Sequence, residues 1–142
     1  MKKLLTTIAL CAGAIFSAKA ADIYVNNSGQ SGTFTTISSA LAAAAPNDNI
    51  YISPYGDYTE NLTISQSVTL ASAVSGTSFN VVGSLTINGA PNMDVKVVGG
   101  IFSSSCIANT GGNSLNDMAD VYLIESKFSN ITGYDFIRMH VL

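Results

Sequence analysis

The sequence predicts an all-β chain wound as a parallel β-helix, a solenoid of stacked coils, and three observations lead there. Short apolar runs recur between Gly, Asn, Ser and Pro, and many of them alternate, as in Ile50-Tyr51-Ile52, Leu62-Thr63-Ile64 and Val68-Thr69-Leu70. Alternation turns one face of a strand inward and the other to water. The runs also repeat: Asp94-Val95-Lys96-Val97-Val98 and the following Phe102-Ser103 return 26 residues later as Asp120-Val121-Tyr122-Leu123-Ile124 and Phe128-Ser129, and Leu62-Thr63-Ile64 returns 23 residues later as Leu85-Thr86-Ile87. A period in the twenties marks a solenoid whose coils stack on one another. Finally, only one stretch has helical periodicity. A small β-sandwich is the alternative, and leucine-rich repeats are set aside because no Leu-x-x-Leu-x-Leu pattern recurs.

Taken in order, the strand candidates are 23–25, 50–52, 62–64, 68–70, 79–82, 85–87, 95–98, 121–124 and 136–142. Between the first two lies the helix. Ile37, Ala40, Leu41, Ala44 and Ala45 form one apolar stripe, Thr35 or Thr36 can cap its start, and Pro46-Asn47-Asp48 ends it, giving a helix over about 36–45. So short a helix needs a surface to lie on. The exposed end of a β-helix offers one, and capping elements cover such ends. The last strand, with Ile137, Met139 and Val141 on one face, has no matching cap. The pattern therefore predicts the N-terminal part of a longer β-helix, incomplete at its C-terminus.

Ahead of the strands, Lys2 and Lys3 precede an apolar run of 13 residues from Leu4 to Phe16, followed by Ser17-Ala18-Lys19-Ala20. That order of charged, apolar and small residues predicts a cleavable signal peptide over 1–20, with a mature domain over 21–142. Spanning a bilayer takes about 20 apolar residues, so no membrane span is expected. Leu10 before Cys11 argues against a lipoprotein site. The expected location is secreted, periplasmic or cell-surface.

Without the leader, Lys96, Lys127 and Arg138 face nine carboxylates, a formal charge of −6. That excess disfavours nucleic acid and anionic membranes as partners. Cys106 is then the only cysteine and has no disulfide partner. Its simplest reading is a small buried apolar residue.

The stretch from Gly32-Thr33-Phe34-Thr35-Thr36-Ile37 through Asn49-Ile50-Tyr51-Ile52 to Gly56-Asp57-Tyr58-Thr59-Glu60-Asn61 is similar to the N-terminal segment of pectin-lyase-like right-handed β-helix proteins. Pectin methylesterases and many bacterial secreted β-helix proteins open this way. The resemblance implies a right-handed parallel β-helix, with the quoted motifs in the cap and first coil. It carries little of the esterase site. The oxyanion-stabilising glutamines of that family lie in central coils, whereas Gln30 and Gln66 come too early. Gly133-Tyr134-Asp135 has a faint likeness to the segment bearing the acid/base aspartate, which makes Asp135 the one catalytic candidate. An esterase needs nucleophile, acid/base and oxyanion hole together.

Two clusters are candidates for binding. Tyr55, Asp57, Tyr58 and Glu60 follow the second strand, where acids and aromatic faces can meet a sugar; the competing reading is a solvated turn with a structural Glu60 hydrogen bond. Arg138 and His140 share a strand face at i and i+2. Asp117 and Asp120 read as a polar turn. No Asp-rich loop supplies the six or more oxygens that Ca²⁺ takes, so neither metal nor cofactor is expected. Asn26, Asn61 and Asn130 open formal glycosylation sequons, as an Asn- and Thr-rich chain does by composition alone. The expected function is a non-catalytic structural or glycan- or partner-binding β-helix, its partner a polysaccharide or another cell-surface component. The alternative is the N-terminal part of a pectin esterase or lyase.

Overall fold

A computed structural model describes residues 19–109, 118–133 and 137–142. Asp22–Val25 forms β1, after which the chain turns into helix α1 (Ile37–Ala43). The first full coil consists of β2 (Asp48–Ile52), β3 (Asp57–Tyr58) and β4 (Leu62–Ile64). β5 (Val68–Ser72), β6 (Phe79–Val81) and β7 (Leu85–Asn88) make the second, and β8 (Asp94–Val98), β9 (Gly100–Phe102) and β10 (Cys106–Asn109) the third. β11 (Ala119–Ile124) and β12 (Ile131–Gly133) belong to the fourth, and β13 (Ile137–Val141) begins the next.

Corresponding strands pair in parallel into three sheets: β1-β2-β5-β8-β11-β13, β4-β7-β10-β12 and β3-β6-β9. This is the parallel β-helix expected from the repeats, with the right-handed winding that the resemblance implied. The antiparallel sandwich is excluded, since every strand pair among the described residues is parallel. Both repeats are pairing registers: Asp94 lies beside Asp120 and Val95 beside Val121, and Leu62 lies beside Leu85 and Ile64 beside Ile87.

Inward side chains stack in columns that run the length of the solenoid. Ile50, Leu70, Val97 and Leu123 form one, all fully buried. Leu62, Leu85 and Cys106 form another, so Cys106 replaces an aliphatic in a ladder. Burial pushes its thiol up to about 12, and the sulfur keeps its proton at neutral pH. Phe102 and Phe128 stack with centroids 4.7 Å apart, the side-chain ladder that the 26-residue repeat implies.

Helix α1 packs against β1, β2 and β4 and buries Ile37 and Ala40 over the open end of the first coil. It stops two residues earlier than its apolar stripe suggested, at Ala43. Ala44 is already extended, with ψ 142°; its carbonyl accepts from Gln66 Nε2 at 2.7 Å, and Ala45 N donates to Asp48 Oδ2 at 2.8 Å. Those tertiary hydrogen bonds replace the last helical turn. Thr36 is the N-cap and accepts from Ser39 N. Four strands went unread in the sequence, β3, β9, β10 and β12, each only two to four residues long.

Candidate functional site

The cluster expected after the second strand divides. Tyr55 is 75 % exposed, whereas Tyr58 is 3 % exposed and points into the core. The Tyr58 hydroxyl lies 3.4 Å from the carbonyl oxygens of Val25 and Ser53, and burial pushes its phenol above the ordinary range. Its ring is thus closed to a ligand arriving from solvent. Asp57 stays on the surface, where its carbonyl accepts from Asn27 Nδ2. Glu60 turns away from both and caps α1: Oε1 accepts from Ile37 N at 2.8 Å, and Oε2 accepts from Ser38 N at 2.9 Å and from the Ser38 hydroxyl. A carboxylate there satisfies N–H groups that the first turn leaves without intrahelical partners.

Arg138 and His140 do share the outer face of the six-stranded sheet, and the partner that unites them is Asp120. Arg138 Nε and Nη2 donate to the two Asp120 oxygens at 2.6 and 2.7 Å, and His140 Nε2 lies 3.3 Å from Oδ1. Asp120 is therefore a strand residue of β11, not the polar turn expected. Its pairing with Arg138 holds the carboxyl below the usual range. Tyr122 stacks on the His140 ring at 4.4 Å, with Lys96 Nζ 5.5 Å from the Tyr122 centroid. Parallel registry puts Lys96, Tyr122 and His140 in one row. Asp135 lies outside the described residues.

The site that sequence reasoning missed is at the other end of this face. Tyr24 on β1 and Tyr51 on β2 are register partners, stacked with centroids 5.4 Å apart and planes 26° apart. With Tyr55 and Val74 they wall a hollow of about 210 Å³, rimmed by Asn26 and Gln30. Tyr51 and Val74 are shared with a second hollow of about 380 Å³ that continues over Ala71 and Val98 to Glu125. The result is a groove along the solenoid axis, crossing four inter-strand steps or about 19 Å. Tyr24 and Tyr51 stand on strands β1 and β2 and are held by a rigid scaffold, whereas Tyr55 lies on the turn beside them.

Glu125 closes the far end in the left-handed region, with φ 49°. It follows Ile124, the register partner of Val98, and thus stands where the third coil has Gly99 with φ 72°. The turn demands a positive φ, which glycine adopts freely and glutamate does not. Among the described residues lining the two hollows, Glu125 is the only charged side chain, and none is a cation.

A larger hollow, about 450 Å³ between α1 and β4, is walled by Ser38, Leu41, Asn61, Thr63 and Gln66. It has neither an aromatic face nor a charge, so size alone does not make it the better site. No group of three or more His, Cys, Asp or Glu suited to a metal occurs among the described residues. None of their helices is long and apolar enough to cross a membrane.

No family model, curated protein or solved structure matches this chain. The assignment of a site therefore rests on its geometry.

Proposed function

We propose that this chain is an exported, non-catalytic β-helix that binds a neutral glycan along the Tyr24–Tyr51–Tyr55 groove. The observation that carries the reading is the pair of stacked, register-matched tyrosines on a rigid sheet, with Tyr55 beside them and amide and hydroxyl groups at the rim. Aromatic faces accept the C–H faces of pyranose rings, and amides and hydroxyls exchange hydrogen bonds with sugar hydroxyls. A few convergent polar groups in an otherwise apolar concave surface are what a small-molecule site requires.

Charge narrows the ligand. A polyuronate carries a carboxylate on each unit, and the described lining offers it no cation and one opposing acid, Glu125. The mature chain, at −6, repels such a polymer at longer range as well. The opening motif supports kinship with pectin-lyase-like proteins in fold, while the lack of cations in the groove argues against pectate as the ligand. Export is supported by the N-terminal order of lysines, apolar run and small residues.

Affinity electrophoresis on a panel of neutral polysaccharides tests the reading. Tyr51→Ala and Tyr24→Ala should each weaken retention about tenfold, the order that a buried aromatic anchor carries, with the unfolding midpoint little changed. Methanol release or unsaturated products from pectin, abolished by Asp135→Ala, would instead establish an enzyme.

A further inference from the structure

Asp48 is a carboxylate only 5 % exposed, and among the described residues no Lys, Arg or His side chain lies within ion-pair distance of it. Its oxygens are taken by two backbone donors: Ala45 N at 2.8 Å, where α1 ends, and Ala21 N at 2.7 Å. A buried carboxylate without a cation is costly, and proteins ordinarily pair one. The sequence predicts that the signal peptide is cut after Ala20. That cut would turn the Ala21 amide into an α-ammonium while leaving its nitrogen in place. We propose that Ala21 is the mature N-terminus and that its α-ammonium forms an ion pair with Asp48, so that removal of the leader strengthens the capped end of the solenoid.

Little movement is required. Asn49 N donates to Ala21 O at 2.9 Å and Asp22 pairs with Asn49 in the β1–β2 ladder, so residues 21 and 22 are held by parallel registry. Ala20 and Ala21 are exposed, so the new ammonium can direct its remaining protons to water. Asp48 is then the hub of the first coil, joining β1, the end of α1 and the start of β2 through one side chain. The other titratable groups on the elements packed here are Asp22 and Tyr24 on β1 and Tyr51 on β2; the Asp22 carboxylate accepts from Asn49 Nδ2, and the tyrosines lie further along the outer face. Neither α1, β4 nor β5 contributes a titratable side chain, and Glu60 is engaged at the opposite end of α1.

This inference rests on the export reading, so the experiment separates the two. The full precursor is expressed in a bacterial host and the exported chain is analysed by N-terminal sequencing and intact mass. Ala21 is the expected first residue; a different one would overturn the proposal at its first step. A second precursor, with one glycine inserted between Ala20 and Ala21, yields a chain in which Ala21 N is again a neutral amide. Urea unfolding of both chains from pH 6 to pH 10 then isolates the pair. An ion pair raises the folded pKa of the α-ammonium above its free value of about 7.7–8.0. The added stability is therefore present below about pH 8 and disappears as pH rises through the folded value. The unfolding equilibrium constant of the native chain should be about tenfold smaller than that of the extended one at pH 6–7, the order of one charge-assisted hydrogen bond, and the gap should close toward pH 10. Asp48→Asn, if it folds, should remove the gap at every pH. Equal stability of the native and extended chains across the range, with Ala21 established as the N-terminus, would overturn the ion pair and leave export intact.

Discussion

At the β1 end of the six-stranded sheet, acids are built into the scaffold: Asp48 is buried under the end of α1, and Glu60 holds the helix N-terminus. At the β13 end, Asp120, Arg138 and His140 meet on the outer face, with the Arg138 side chain 58 % exposed. Both ends use carboxylates at short distances, yet the surroundings differ. Removing a carboxylate shielded from water, as Asp48 is, costs heavily because its backbone donors are left without partners. An exposed ion pair exchanges with water and contributes little. The contrast extends to the apolar columns, which are fully buried through Leu123 but end in Val141, 58 % exposed. Firmness should therefore fall along the axis from β1 to β13, and the stacked tyrosines of the groove stand at the firm end.

The largest effect expected from breaking this contrast is at Glu60. Glu60→Ala strips acceptors from Ile37 N, Ser38 N and the Ser38 hydroxyl and should cost about 2 kcal/mol in urea unfolding. A smaller effect is expected at the opposite end, where Asp120→Asn should cost about 0.5 kcal/mol despite its shorter contacts. Acid sharpens the point. Pairing with Arg138 depresses the folded Asp120 pKa, so its contribution is present above the unfolded value of about 3.9 and is lost as pH falls through the folded one. Protection of the β13 amides, taken as exchange relative to the intrinsic rate at each pH, should accordingly fall below about pH 4, and Asp120→Asn should remove that pH response. Equal costs at Glu60 and Asp120 would mean that the two ends are alike.

Much of the fold was legible because a β-helix writes its registry into the sequence. Residues that stack must match in type, so Asp94 and Asp120, Val97 and Leu123, and Leu62 and Leu85 display the coil period directly. The strands that escaped notice lack that signal. Cys106-Ile107-Ala108-Asn109 pairs with Leu85-Thr86-Ile87-Asn88, but Cys and Ala stand for the aliphatics and hide the alternation. The tyrosine pair was readable in the same way: Ile23-Tyr24-Val25 and Ile50-Tyr51-Ile52 share a pattern, and the match gives their register. Asp48 was not. Pro46-Asn47-Asp48 has turn composition, and only the three-dimensional approach of Ala21 and Ala45 reveals that the carboxylate faces inward. Glu60 likewise lies 23 residues from the helix start that it caps, beyond the reach of any local capping motif.

The most direct test of the account is a native-gel retention measurement at low salt, setting neutral polysaccharides against polygalacturonate. A neutral, sugar-stacking groove predicts retention by at least one neutral polymer, weakened by Tyr51→Ala, and none by polygalacturonate. It also predicts that Glu125→Gln leaves neutral binding within about threefold while reducing the repulsion of the uronate, since a single opposing charge is worth on the order of 1 kcal/mol near water. Retention by polygalacturonate alone, unaffected by Tyr51→Ala, would contradict it.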